Sequence, residues 1–151
     1  MEARTAQKLW VDNDVLNYWC KARCLEDVIR KVPYTLCTTE LVLHEARAGG
    51  AVLQSALDAM QAGAIAVHPL GTPPLDRPLS GSGALSPADE SLLLCAEHLG
   101  GEVLTNERAL QRRCARDKVG CMPFADFLNE AASNGWLDIS TIEKLRALSG
   151  L

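Results

Sequence analysis

The sequence predicts an α/β fold: a three-layer α/β/α sandwich around a central, mostly parallel five-stranded sheet. Two observations carry this. Short apolar runs, such as QKLWVD at 7–12 and EVLT at 102–105, alternate along the chain with segments whose apolar residues recur at helical spacing. The length of 151 residues, with 48% hydrophobic and 23% charged residues, suits one domain with an ordinary core.

Each element follows in order. Residues 7–12 read as the first strand. Asp14 to about Lys31 reads as one helix, because Val15, Leu16, Trp19, Ala22, Leu25, Val28 and Ile29 share a face. Pro33 ends it, and YTLCT (34–38) forms the second strand. Thr38 or Thr39 caps a helix from about Glu40 to Arg47, closed by Gly49-Gly50. A further helix covers roughly 51–62, and AIAVHP (64–69) is the third strand. PLGTPPLDRPLSGSGAL (69–85) reads as a loop with no obvious core contribution. Ser86 then caps a helix with Pro87 in its first position and Gly100-Gly101 at its end. Residues 102–105 form the fourth strand, 106–118 a helix and 119–123 the fifth strand. Two C-terminal helices follow from about 124, broken at Asn134-Gly135, within a single domain spanning 1–151.

Composition narrows the function classes. A net charge of −4 and a pI near 5.3 argue against a general nucleic-acid coat, which is usually basic. MEARTAQKLW lacks the apolar core of a secretion signal, and no stretch approaches the roughly 20 apolar residues of a membrane helix. The expected location is cytoplasmic. Six cysteines lack zinc-finger spacing and read as reduced, mostly buried thiols. No Walker loop, no G-x-G-x-x-G after a strand and no H-E-x-x-H occurs. His44, His68 and His98 are scattered and read as structural or solvent-facing.

The carboxylates carry the chemistry. In a parallel α/β sheet the ligand crevice lies beyond the carboxyl ends of the strands. Asp12 ends the first strand, and Asp89 and Glu107 fall in the first turns of the helices after the long loop and after strand four. Glu45 reaches toward the same edge from its own helix. Such a cluster needs cations to stay ionised, and hard oxygen ligands favour Mg²⁺ or Mn²⁺. Each acid also has a plain structural use. Asp89 completes a capping box with Ser86, Glu107 complements a helix dipole, Asp12 or Asp14 caps the first helix, and Glu40 competes with Glu45. Asp14 is read as the cap.

LWVDNDVL, TTELVLHEA and SPADESLLLCAEHLGGEVLTNERAL together resemble the blocks of PIN-domain ribonucleases. FLNEAASNGWLDISTIEKLRAL resembles the helical ending of short bacterial, VapC-like PIN proteins. The resemblance spans nearly the whole chain. It implies a PIN-like fold and a Mg²⁺- or Mn²⁺-dependent endoribonuclease with Asp12, Glu45, Asp89 and Glu107 as catalytic metal ligands. Asn13, Thr105 and Asn106 would orient water or phosphate. Glu107 stands where the family usually has Asp, and Asn13 where it usually has a small hydroxyl residue.

Arg108, Arg112 and Arg116 share one helix face at i, i+4, i+8, joined by Arg113 and Lys118. This face reads either as an RNA-backbone site or as a solvated surface. The tail from Trp136, with Leu137, Ile139, Ile142, Leu145 and Leu148, reads as an assembly face or as packing on the chain's own core. The resemblance further suggests a toxin held by an antitoxin, and a homodimer. Two other readings stand beside it: the same chemistry on structured DNA or in RNA maturation, and a catalytically weak PIN-like module that binds RNA or protein.

Overall fold

The computed structural model describes residues 6–151; Met1–Thr5, within the stretch read as lacking a secretion signal, lie outside them. Five strands form one sheet: β1 (Lys8–Val11), β2 (Thr35–Thr39), β3 (Ala66–His68), β4 (Glu102–Thr105) and β5 (Cys121–Pro123). All are parallel, in the order β3-β2-β1-β4-β5. Leu9 pairs with Leu36 on one side and Glu102 on the other, so β1 is the central strand. Leu9, Trp10, Val11, Val103 and Leu104 are buried, as expected of parallel strands covered on both faces.

The chain leaves β1 in one direction to build β2 and β3, then returns to β1's other side as β4. That reversal opens a crevice at the carboxyl ends of β1 and β4. Among the described residues eight α-helices pack on the sheet or on one another: α1 (Asn13–Lys21), α2 (Leu25–Lys31), α3 (Glu40–Ala48), α4 (Gln54–Gln61), α5 (Pro87–Leu99), α6 (Arg108–Asp117), α7 (Phe124–Ser133) and α8 (Ile139–Ser149). Among the described residues no helix is long and apolar enough to cross a membrane.

The single helix expected over 14–31 is two. Cys24 N–H donates to Trp19 C=O at 3.0 Å and Arg23 N–H to Cys20 C=O at 3.1 Å, which is the Schellman pattern. Arg23 takes the left-handed position at φ +57. The apolar spacing runs through the break because Trp19, Leu25 and Val28 all bury on the same core. The expected break after α7 occurs by the same device, with Gly135 at φ +68 and Trp136 N–H on Ala131 C=O.

A second correction concerns residues 69–85. This loop does contribute to the core, since Leu75 and Leu85 are buried in it. The Gly100-Gly101 turn lets β4 lie close against β1: a Cβ on Gly101 would stand 2.5 Å from the Lys8 carbonyl oxygen. The C-terminal stripe packs mainly on the chain's own core, with Leu137, Ile142 and Leu145 buried, while Ile139 is 76% exposed.

Candidate active site

Asp12 follows the last residue of β1 and faces the crevice. It is also the N-cap of α1, its Oδ1 accepting from Val15 N–H at 2.9 Å. The cap is therefore Asp12 and not Asp14, because Asp12 has the extended backbone that an N-cap needs. Thr105, the last residue of β4, donates its hydroxyl to Asp12 Oδ2 across the crevice. Both Asp12 oxygens are thus held from opposite sides of the reversal point. Thr38 Oγ1 donates to Val11 C=O at 2.8 Å, tying β2 to the residue before Asp12. Asp12 is only 4% exposed. Burial pushes its carboxyl up to about 7, and the charges of Asp14 and Asp89 add to the rise against the lowering pull of Thr105 and Val15.

Asp89 enters from the first turn of α5. Its side chain accepts from Ser86 N–H at 3.2 Å while Ser86 Oγ accepts from Asp89 N–H at 3.1 Å, a complete capping box. The cap occupies Asp89 Oδ2 and turns the carboxylate toward the crevice. Glu45 stands at the rim on α3, whose N-cap Thr39 shares a buried 2.7 Å hydrogen bond with Ser91 of α5. Glu107 does not lie in the first turn of α6 but one residue before it, as the N-cap. Its side chain makes no capping bond and its backbone N–H donates to Thr105 Oγ1 at 3.0 Å, so its carboxylate is free to face the crevice.

Asp12, Asp14, Glu45, Asp89 and Glu107 line one cleft of about 370 Å³, floored by Val42, Ala88 and Leu92. The four acids expected from the sequence converge there. Asp14 is the acid that sequence reasoning assigned elsewhere. Its position two residues after Asp12, in the helical turn that Asp12 caps, was the available signal. The acids feel one another: Glu45 is raised by partial burial, then by Asp89, Asp14 and Glu107. Glu107 is raised by burial, then by the charges of Asp89 and Asp14. Among the described residues no cationic side chain lines the cleft and none of these acids is in an ion pair. Asn13 Oδ1 is buried without a partner in the same wall.

Other expected site residues lie differently. Thr105 does not line the cleft but holds Asp12. Asn106 turns away: its amide donates to Ser149 C=O at 2.9 Å and to Tyr18 at 3.4 Å, fastening the end of β4 to α8. Arg108 is exposed and lines neither the cleft nor its neighbour. Arg112 lines a separate groove beside the cleft. Glu40 is committed elsewhere, accepting from Leu70 N–H at 2.8 Å and standing 3.5 Å from His44. A larger cavity of about 540 Å³ between α1, α2 and α4 contains none of the five cleft acids.

No protein-family model and no curated protein matches the chain. Solved structures do match. A PilT N-terminus domain protein from the hyperthermophilic archaeon Sulfolobus solfataricus P2 is similar over 94% of this chain and 92% of that one, at 16% identity and a TM-score of 0.56. The fold is PIN-like. A domain of a functionally unknown protein from Methanocaldococcus jannaschii DSM 2661 is similar over 78% of this chain and 91% of its own, at 18% identity and a TM-score of 0.51. The PIN domain endonuclease Utp24 is similar over 70% of this chain and 75% of its own, at 17% identity and a TM-score of 0.48.

The donor set of the cleft fits a hard divalent cation. The oxygens it offers are carboxylate and amide oxygens, and one buried amide oxygen has no other partner among the described residues. Among the described residues no three of the side chains already close on one point. Facing carboxylates repel, and side chains carried on separate elements stand back from a common centre.

Proposed function

We propose that this chain is a metal-dependent endoribonuclease. The observation that carries the reading is the convergence of five carboxylates in one cleft that, among the described residues, no cationic side chain lines. Asp12, Glu45, Asp89 and Glu107 would hold Mg²⁺ or Mn²⁺, with Asp14 beside them. When bound, such an ion supplies an activated water and offsets the charge that develops on the phosphate. The chain's own residues set the stage. Val15 N–H and the Thr105 hydroxyl fix the Asp12 carboxylate, and the capping box fixes Asp89. Asn13 Oδ1 offers an acceptor to a water in the cleft wall. Val42 and Leu92 give the cleft an apolar floor. RNA is the substrate class proposed, with a phosphodiester bond as the group cut.

A toxin role would add a protein that covers the cleft, and a homodimer would add a second copy. Both belong to this reading as proposals, as does cytoplasmic action.

The test is cleavage of a mixed pool of small structured RNAs with Mn²⁺, with Mg²⁺ and with chelator, for the native protein and Asp12→Asn. Metal-dependent cutting that disappears in Asp12→Asn is expected. A folded protein that binds metal in calorimetry yet cuts no RNA would replace this reading with a PIN-like binding module.

A further inference from the structure

Beside the acid cleft lies a groove of about 300 Å³ with the opposite charge. Arg112, Arg113 and Arg116 of α6 form one wall, and the turn at 82–85 forms the other. Ala84 lines both concavities, so they meet at a single residue. The turn is built to hold that residue in place. Ser82 and Leu85 exchange backbone hydrogen bonds at 3.2 and 3.0 Å. Gly81 enters the turn at φ +81, where a Cβ would stand 2.5 Å from the Leu85 carbonyl oxygen. Arg113 Nη1 reaches across the groove to Ser82 Oγ at 3.3 Å.

The charge of the groove is not spent internally. Asp117 pairs with Arg113 at 2.9 Å and with Arg116 at 3.1 Å, so one carboxylate is shared by two of the three guanidinium groups. Arg112 is in no ion pair among the described residues. In a chain of net charge −4 this excess is local. Ala84, Leu85 and Ala109 supply an apolar floor on which a ribose or base can lie.

We infer that a single polynucleotide strand crosses from the acid cleft over Ala84 into this groove, where Arg112, Arg113 and Arg116 hold the phosphates next to the one that is cut. The inference rests on the nuclease reading for what occupies the cleft. It adds the direction in which the strand leaves and the residues that hold it. A polynucleotide carries one negative charge at every step, and guanidinium groups bind phosphate through paired N–H donors. A single strand bends over one residue, which a stiff duplex does not.

The test reads binding without cutting. Fluorescence anisotropy follows labelled oligouridylate and oligothymidylate of about 12 nucleotides in chelator, from about 50 to about 200 mM salt. Arg112→Ala/Arg116→Ala is expected to weaken both oligomers about tenfold at low salt and to lower the salt slope by about 1.4, the loss of two phosphate contacts. Arg112→Glu, at a side chain with no ion partner to lose, is expected to weaken them further. Arg30→Ala/Lys31→Ala removes the same charge from α2 and is expected to change affinity less than about twofold. Ala84→Trp, at an exposed position, obstructs the crossing and is expected to weaken both oligomers comparably, with an unchanged circular dichroism spectrum. Equal weakening by the α2 pair, an unaltered slope in the groove pair, or full binding by Ala84→Trp would overturn the inference. Chelator suppresses metal-dependent cutting, so failure here is distinct from failure of the nuclease reading.

Discussion

The acid cleft and the basic groove meet at Ala84, yet they are assembled in opposite ways. The groove's charges come from one stretch of one helix, Arg112 to Arg116. The cleft's charges come from residues spread from Asp12 to Glu107, gathered only by the reversal of strand order at β1 and β4. Four of the five acids sit at helix N-termini. Asp12 and Glu107 are N-caps, and Asp14 and Asp89 lie in first turns. Three helix dipoles thus point their positive ends at the cleft and offset part of the repulsion among the acids. Helix α6 is polarised between the two sites, with Glu107 facing the cleft at its start and Arg116 in its last turn, where a cation suits the dipole. Asp12 and Asp89 make capping bonds and also line the cleft, so in these two the structural use of the acid is also what aims it.

That double use separates cleanly in Asp12→Asn. An amide keeps one acceptor oxygen, enough to cap the helix through Val15 N–H, presents an NH2 to Thr105 in place of Oδ2, and carries no charge. Cutting is expected to fall at least about a hundredfold, since even the outer partners of metal ligands are commonly worth 10- to 100-fold. The melting temperature of the metal-free protein at neutral pH is expected to rise, because a buried charge has been removed. Activity and stability moving in opposite directions mark a functional acid. Unchanged cutting with unchanged stability would mark a simple cap.

The pH dependence of the metal-free protein follows the same logic. The folded state holds the Asp12 carboxyl at about 7, above its ordinary range, so the fold favours the protonated form. Between the unfolded value near 4 and about 7, the folded protein binds more protons than the unfolded chain. Stability therefore falls as pH rises through that window. Asp12 alone sets a scale on the order of 4 kcal/mol. Glu45 and Glu107, also raised, push the same way. Chemical denaturation at pH 5 and pH 8 should show the loss, and added Mn²⁺ should reverse it at pH 8. A flat profile would mean that burial and the facing charges do not raise these carboxyls in the folded state.

Thr105→Val probes the strut between β4 and β1. It deletes the hydroxyl donor to Asp12 and the acceptor for Glu107 N–H at 3.0 Å. A stability cost of about 1–3 kcal/mol is expected from the lost partners. Cutting should fall about 10- to 100-fold, and Thr105→Ser should restore much of it. Loss of stability with full activity would make Thr105 a fold residue only.

Much of this was legible in the sequence, and the exceptions have physical reasons. Strand-helix alternation and the Ser86-Pro87 start of α5 needed only local chemistry, and Asp12, Glu45, Asp89 and Glu107 were found from their places relative to strand ends. Asp14 was misassigned because an acid in a first turn satisfies the dipole whether or not it also faces a cleft. The α1–α2 break was hidden because Arg23, rather than glycine, takes the left-handed position, and the apolar spacing continues through it. Gly135 announces the same motif openly. Leu75 and Leu85 were lost among Pro, Gly and Ser, since no periodicity marks a loop residue that anchors in the core. Asn106 faces α8 instead of the crevice, a direction that depends on where the chain's end returns.

The smallest expected effect divides the arginines themselves. Arg108, Arg112 and Arg116 share a helical face by spacing, and spacing alone makes them equivalent. The groove does not treat them so. Arg112 and Arg116 line it with Arg113, whereas Arg108 stands exposed in the first turn of α6, outside both concavities. A cation there also meets the unfavourable end of the dipole and is largely screened by solvent. Arg108→Ala is therefore expected to change oligomer affinity less than about twofold and to leave the salt slope within about 0.5 of the native value, against about 1.4 for the groove pair. An Arg108→Ala protein that loses as much as Arg112→Ala would mean that strand binding follows the whole helix face. The site would then be a charged surface, with no groove to give the strand a path.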